Sequence, residues 1–372
     1  MTIETISKNE WLKLFKFKNI SYNTFLNTYK VKYSQSNKLL KNISKEKKLK
    51  KDDLETLYFY FVINKKTYLE NFFEKSLNID YDYDLTKIKN LSLNNAVNSR
   101  YKNLIRNIYY KDLLFYTQTN IKGLRPFLEV IIDLFNNKLI DYKLITPCAI
   151  SMMKKNIFSS ILSGFYFRSS ILNPSVIYTL SKKYLKGSKV FTPTLGWSSY
   201  MYGFLSDSKI THYVGTDVLK NVCSNTKKLS KKMFPDKTVD IYCSQSELLD
   251  KNKIFMSKYR NFFDIIFFSP PYYKLELYRG AKQSTVLYDS YDIWLEKYWE
   301  ETIKLCKKVL KKNSTLVYII SGYDKNKDMN KDMNNITKKY FKYKKKYYLN
   351  NTNVNFTDHK KANEVIYIFN KV

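Results

Sequence analysis

The run Phe262-Phe263-Asp264-Ile265-Ile266-Phe267-Phe268 constrains the fold of this chain more than any other stretch. A nearly continuous apolar run of that length reads as a strand buried on both faces and ending at Phe268. Two prolines follow. Pro270 and Pro271 each fix φ, lack an N–H and hold the residue before them extended, so Ser269-Pro270-Pro271-Tyr272 is expected to be a stiff, non-helical exit. Ser269 and Tyr272 are then presented at the carboxyl end of a central strand, the edge where open α/β sheets bind ligands.

The surrounding pattern repeats this strand-then-helix logic. Asn173-Pro174 reads as an N-cap and first helical residue, with Gly187 at the helix end and a strand over Lys189 to Thr192. A glycine-containing turn, Gly196-Trp197, follows. Further strands are expected at Tyr213 to Asp217 and Val239 to Cys243. After the central strand, Asp289 to Lys312 reads as an amphipathic helix whose buried face carries Tyr298, Trp299, Thr302, Ile303 and Cys306, closed by Asn313. Ser314 to Ser321, Lys345 to Leu349 and Val365 to Phe369 supply three more strands. Asp324 to Asn334 is low-complexity and reads as a loop. Five β-then-α repeats and a closing hairpin predict an α/β fold, a doubly wound and mostly parallel sheet.

Residues 1 to about 145 read mainly as helices, over Glu10 to Phe17, Asp53 to Phe73, Leu104 to Phe115 and Pro126 to Leu139, and carry no motif. The expected division is therefore 1–145, a helical region with a nucleic-acid-binding or target-recognition role, and 146–372, the sheet domain. The basic run Lys45 to Lys51 reads as a solvated linker, with a phosphate-contacting loop as the alternative.

Ser269-Pro270-Pro271-Tyr272 resembles motif IV of the S-adenosylmethionine-dependent amino-methyltransferases, in which an acid, asparagine or serine precedes Pro-Pro-aromatic. The serine form is commoner among enzymes acting on cytosine N4. The resemblance spans residues 165 to 370, and its strand, motif loop, long helix and strand closely resemble the middle of phage and giant-virus enzymes of this type. It implies a seven-stranded Rossmann-like methyltransferase sheet with an antiparallel seventh strand, S-adenosylmethionine as cofactor, and methyl transfer to the exocyclic amine of cytosine or adenine in DNA. The implied catalytic residues are Ser269, Pro270, Pro271 and Tyr272. An aromatic amine is a poor nucleophile because its lone pair is delocalised, and the Ser269 hydroxyl and Pro270 carbonyl would accept its protons while Tyr272 stacks on an extruded base.

The same resemblance implies a cofactor set. Gly196-Trp197 matches the D-P-x-x-G-W-G form of motif I, with Thr192 where the family has an acid and Ser198 replacing the second glycine. Asp217 takes the place of the motif II acid on the ribose hydroxyls. Ser244 stands where motif III has an acid near the adenine. The helix beginning at Asn173 corresponds to motif X, whose amino terminus would suit the cofactor carboxylate. Glu276 and Gln283 are base-pocket candidates that read more simply as loop surface.

A net charge of +32 and a pI near 9.6 favour a polyanionic partner, DNA or else RNA. Only six of the 65 basic residues are arginine, a bias that an AT-rich genome imposes on any protein, so charge alone argues weakly. Four dispersed cysteines and two histidines predict neither a disulfide framework nor a metal site. With no amino-terminal signal pattern and no apolar segment of about 20 residues, the chain reads as soluble and intracellular, cytoplasmic or associated with a virus. Two rival functions stand beside DNA methylation: RNA methylation, and a catalytically degenerate nucleic-acid-binding or virion protein on the same fold.

Overall fold

The chain, described here from a computed structural model, is defined over residues 7–33, 36–74, 83–109, 117–119, 127–155, 171–273, 276–278, 282–321, 328–351 and 364–372. It divides into two units, Met1–Ile79 with Tyr110–Ser169, and Asp80–Tyr109 with Ser170–Val372. The division expected at residue 145 is thus interleaved: segment 83–109 goes with the sheet, not with the residues before it.

The second unit is built on seven strands: β1 (Lys189–Thr192), β2 (His212–Asp217), β3 (Thr238–Cys243), β4 (Phe263–Phe268), β5 (Leu310–Ser321), β6 (Lys342–Leu349) and β7 (Glu364–Asn370). Their order across the sheet is β3-β2-β1-β4-β5-β7-β6. β7 pairs antiparallel with both β5 and β6, and the other pairings are parallel. This is the doubly wound, seven-stranded sheet expected, with the apolar run as its middle strand. Phe263, Ile265, Ile266, Phe267 and Phe268 have no exposed surface. Alternation sends Phe267 against Tyr200 and Phe204 on one side and Phe268 against Trp299 and Tyr318 on the other. Both faces are therefore covered by aromatic packing.

The interruption in the apolar run has its own task. Asp264 accepts hydrogen bonds from the backbone N–H groups of Ser188 and Lys189, both at 3.0 Å, and pairs with Lys311 at 2.6 Å, fixing the entry to β1. Gly187, at φ +118°, passes so close that a Cβ there would lie 2.2 Å from the Asp264 Cβ. Only glycine fits that approach.

The helices that bear on the sheet, among the described residues, are α1 (Pro174–Tyr184), α2 (Ser199–Leu205), α3 (Lys220–Met233), α4 (Lys253–Tyr259), α5 (Glu301–Val309) and α6 (Met329–Lys338). α5 continues a helical segment Tyr291–Trp294 through π-helical Leu295–Glu300, which holds buried Tyr298 and Trp299. Two expectations need correction. The helix expected to reach Lys312 stops at Val309, because Leu310 is fully buried and already pairs with Phe263. Asn313, at φ +62°, sits in the register shift of β5 instead of capping the helix. The low-complexity stretch is helical from Met329, since Met329, Met333 and Thr337 recur at four-residue spacing and are buried; residues 322–327 lie outside the described part.

The first unit is mainly helical, as expected, but also holds a small sheet of Ser36–Leu39, Lys30–Tyr33 and Leu139–Asp141. The helix foreseen from Asp53 to Phe73 is broken into Lys51–Tyr58, a π-helical turn Phe59–Ile63, and Lys65–Glu74. The basic run forms the end of one helix, a turn with Lys48 at φ +50°, and the start of the next.

Candidate active site

The strand order reverses between β1 and β4, and open α/β sheets bind ligands at such a switch point. There the carboxyl ends of β1 to β4 surround a partly open pocket with a cavity volume of about 150 Å3. Gly196, Trp197, Asp217, Ser244, Ser269, Pro270, Pro271 and Tyr272 all line it. Residues far apart in the sequence thus converge on one space.

The turn from β1 into α2 takes three consecutive left-handed residues, Gly196, Trp197 and Ser198, at φ +50°, +57° and +63°. At Gly196 a Cβ would lie 2.2 Å from the Tyr200 ring. Ser198 bears its unusual backbone with a buried hydroxyl network, 2.6 Å from the Thr226 hydroxyl and bonded to that of Tyr109. The Tyr109 ring also meets Trp197 edge-on, with centroids 5.3 Å apart. Segment 83–109 thereby props the turn from behind.

The turn is tied directly to the Ser-Pro-Pro-Tyr exit. The Ser269 N–H donates to the Tyr200 hydroxyl at 3.3 Å, and the Thr194 hydroxyl donates to the Ser269 carbonyl at 3.2 Å. Burial pushes the Tyr200 phenol up, so it stays neutral. Ser269 Oγ lies 3.2 Å from the Ile319 carbonyl, to which it donates its proton, and 3.4 Å from the Tyr272 hydroxyl. With its proton engaged on a backbone carbonyl, the serine oxygen has lone pairs to offer as an acceptor.

Asp217 closes β2. Its carboxylate accepts the N–H of Leu219 at 3.1 Å and of Leu195 at 3.2 Å. Burial pushes its pKa up and these backbone donors pull it back, the net being above the ordinary aspartate value. The Val218 N–H is a third backbone donor, and two carboxylate oxygens with about four lone-pair sites keep acceptor capacity beyond these. Ser244 is fixed through its backbone: its N–H donates to the Asp217 carbonyl at 2.9 Å and its carbonyl accepts from Thr216 Oγ1 at 2.7 Å.

Thr192 is placed differently from expectation. It is fully buried, its hydroxyl lies 2.5 Å from that of Tyr213, and it does not line the pocket. The Asn173 end of α1 does not line it either. There Asn173 caps Ser175 N and donates to the Val97 carbonyl, so that helix start is held by segment 83–109.

Three lining residues escaped the sequence reading or were set aside in it. Glu247 is 4 % exposed, with Tyr288 Oη and Gln245 Nε2 at 3.3 and 3.4 Å, and burial pushes its pKa up. It stands three residues beyond Ser244, close enough to bring a carboxyl to the part of the site where Ser244 has none. Gln283, read as loop surface, is 6 % exposed and lines the pocket. Tyr298, counted as helix core, has a buried hydroxyl without a hydrogen-bond partner among the described residues. The Glu276 side chain lies outside the described part.

Among the described residues no group of three His, Cys, Asp or Glu could hold a metal ion, and no helix is long and apolar enough to cross a membrane. No family model and no curated protein sequence matches the chain. Its fold is similar to solved structures at low identity. TrmN from Thermus thermophilus aligns at 10 % identity and a TM-score of 0.39 over 55 % of this chain and 50 % of its own. An rRNA methylase from Streptococcus thermophilus aligns at 12 % and 0.34, over 55 % and 98 %. The N-methyltransferase NodS from Bradyrhizobium japonicum aligns at 9 % and 0.35, over 53 % and 93 %.

Proposed function

We propose that this chain transfers a methyl group from S-adenosylmethionine to the exocyclic amine of cytosine or adenine in DNA. The observation that carries the proposal is the meeting of Ser269-Pro270-Pro271-Tyr272 with Gly196-Trp197 and Asp217 in one pocket at the switch point of the sheet.

The residues present fit such a cofactor. The Gly196 turn brings bare backbone to the pocket where a Cβ would be excluded, and Asp217 offers acceptor capacity at the position suited to ribose hydroxyls. Ser244 and Glu247 border the part of the pocket beyond it, at the end of β3. When bound, S-adenosylmethionine supplies a methyl group on a positively charged sulfur, ready for transfer to a nucleophile. The protein's own task is to make the amine nucleophilic and aim it. Ser269 Oγ, its own proton engaged by Ile319, accepts a hydrogen bond from one amine N–H and the Pro270 carbonyl from the other, which localises the nitrogen lone pair, and the one proton the nitrogen gives up on methylation passes to solvent. Tyr272 presents a ring on which an extruded base stacks, and the straps from Thr194 and Tyr200 hold Ser269 against the cofactor turn.

One observation favours a rival. Thr192 turns its hydroxyl to Tyr213 where a charged cofactor partner would be expected, which suits a nucleic-acid-binding protein with a weakened cofactor grip. Incubation with methyl-labelled S-adenosylmethionine and native DNA, with RNA in parallel, separates the readings. Label recovered in N4-methylcytosine or N6-methyladenine from DNA is the expected result. Label in RNA alone moves the reaction to RNA, and absence of both transfer and cofactor binding overturns the proposal.

A further inference from the structure

The two exposed aromatic rings of the second unit, among the described residues, lie on one strand. Tyr343 is 42 % and Tyr348 56 % exposed, both on the sheet-edge strand β6, whose sequence is Lys-Tyr-Lys-Lys-Lys-Tyr-Tyr-Leu. An odd separation of five residues would ordinarily put them on opposite faces. A register shift between Tyr343 and Lys345 changes that: Tyr343 pairs with Phe369, Lys346 with Tyr367 and Tyr348 with Val365. Since Val365, Tyr367 and Phe369 alternate along β7, Tyr343, Lys346 and Tyr348 share a face. Beside α6 that face forms a concavity lined by Lys331, Lys338, Lys346, Tyr343 and Tyr367, with Asp328 as its one carboxylate among the described residues. The carboxamide oxygen of Asn330, which also lines it, is buried without a hydrogen-bond partner among the described residues.

Lysines on an edge strand discourage sheet-to-sheet aggregation, and that alone would explain the charge. It does not explain rings turned to solvent among them. Lys338 lies 6.0 Å from the Tyr343 ring centroid and Lys346 5.5 Å from that of Tyr348, and no carboxylate pairs with Lys331, Lys338, Lys342, Lys344, Lys345 or Lys346 among the described residues. α3 also carries several lysines but no aromatic residue, so exposed rings do not simply accompany lysine in this chain. β6 runs parallel to β4, which puts Tyr348 toward the same sheet edge as Ser269, three strand spacings or roughly 15 Å away.

We propose that this face of β6 and α6 binds single-stranded nucleic acid, the bases stacking on Tyr343 and Tyr348 and the phosphates lying along Lys331, Lys338 and Lys346. Paired bases have no free faces for such rings, so an unpaired segment is the occupant. The inference rests on the nucleic-acid substrate proposed above and places part of its path outside the transfer pocket.

The test is fluorescence anisotropy with labelled oligo(dT), oligo(U) and a duplex of equal length, at several salt concentrations. Both single strands are expected to bind more tightly than the duplex. Replacing both rings, Tyr343→Ser with Tyr348→Ser, should weaken single-strand binding about tenfold or more, while the Tyr→Phe pair retains it. Lys338→Gln with Lys346→Gln should lower the slope of log affinity against log salt by about 0.7 for each phosphate no longer neutralised. Melting temperature and S-adenosylmethionine affinity should stay at wild-type values in every variant. Duplex preference, absence of single-strand binding, or unchanged binding by the serine pair overturns the inference. A protein that binds oligo(dT) through these rings yet transfers no methyl group sinks the methyltransferase reading and leaves this one standing.

Discussion

Asp217 is held in a conflict between burial and charge. Burial disfavours its ionised form, whereas the Leu195 and Leu219 N–H groups favour it, as would the proposed acceptor role toward ribose hydroxyls. A hydrogen bond to a charged acceptor is worth about 1.5 to 3 kcal/mol, so Asp217→Asn should weaken S-adenosylmethionine binding tenfold or more by calorimetry. The pH dependence has a definite sign. Because the folded pKa is raised above the ordinary 3.8, protonation sets in at a higher pH than in a free aspartate, and affinity should fall on acidification in the wild type but stay flat in Asp217→Asn. Asp264 is the opposite case. Burial opposes its charge, but Lys311 and the Ser188 and Lys189 N–H groups outweigh burial and hold the carboxyl below its usual range. A depressed pKa contributes stability above the unfolded value and loses it as pH falls through the folded one. Asp264→Asn should therefore cost about 1 to 3 kcal/mol at neutral pH, with the gap from wild type closing below about pH 4 in denaturant melts.

At the scale of elements, the turn from β1 into α2 is the most demanding piece. Gly196→Ala would place a methyl group against the Tyr200 ring in a left-handed backbone. The backbone alone costs roughly 1 to 2 kcal/mol and overpacking a further 1 to 3, so a lower melting temperature and weaker cofactor binding should appear together. The middle strand and its proline exit were legible in local backbone chemistry, and the glycine here and the acid ending β2 through the motifs they resemble and their spacing. What escaped depends on distant partners. Nothing beside Thr192 announces that Tyr213, a whole βα unit later, takes its hydroxyl. Glu247 and Gln283 look like surface residues until Tyr288 and the helical segments after β4 fold over them. The helix at Met329 was hidden by a polar, repetitive composition whose two methionines nonetheless keep helical spacing. Segment 83–109 has no motif at all, and its hold on Trp197 and Ser198 comes through Tyr109.

For the molecule as a whole, the charge of +32 predicts nucleic-acid binding whose logarithm falls linearly with the logarithm of salt concentration. A titration insensitive to salt would leave genome composition as the entire source of the lysines. The proposed chemistry is that of the pocket, where Ser269 and Tyr272 act on the amine while Gly196 and Asp217 hold the cofactor. Its most direct test is the rate of methyl transfer to DNA by Ser269→Ala, measured beside S-adenosylmethionine affinity and melting temperature on the same sample. Removing the hydrogen bonds made to the amine in the transition state should reduce transfer by orders of magnitude and leave the other two quantities near wild type. Full activity in Ser269→Ala, or a loss explained by a lower melting temperature, would contradict the account and return Ser269-Pro270-Pro271-Tyr272 to the status of a strand terminus.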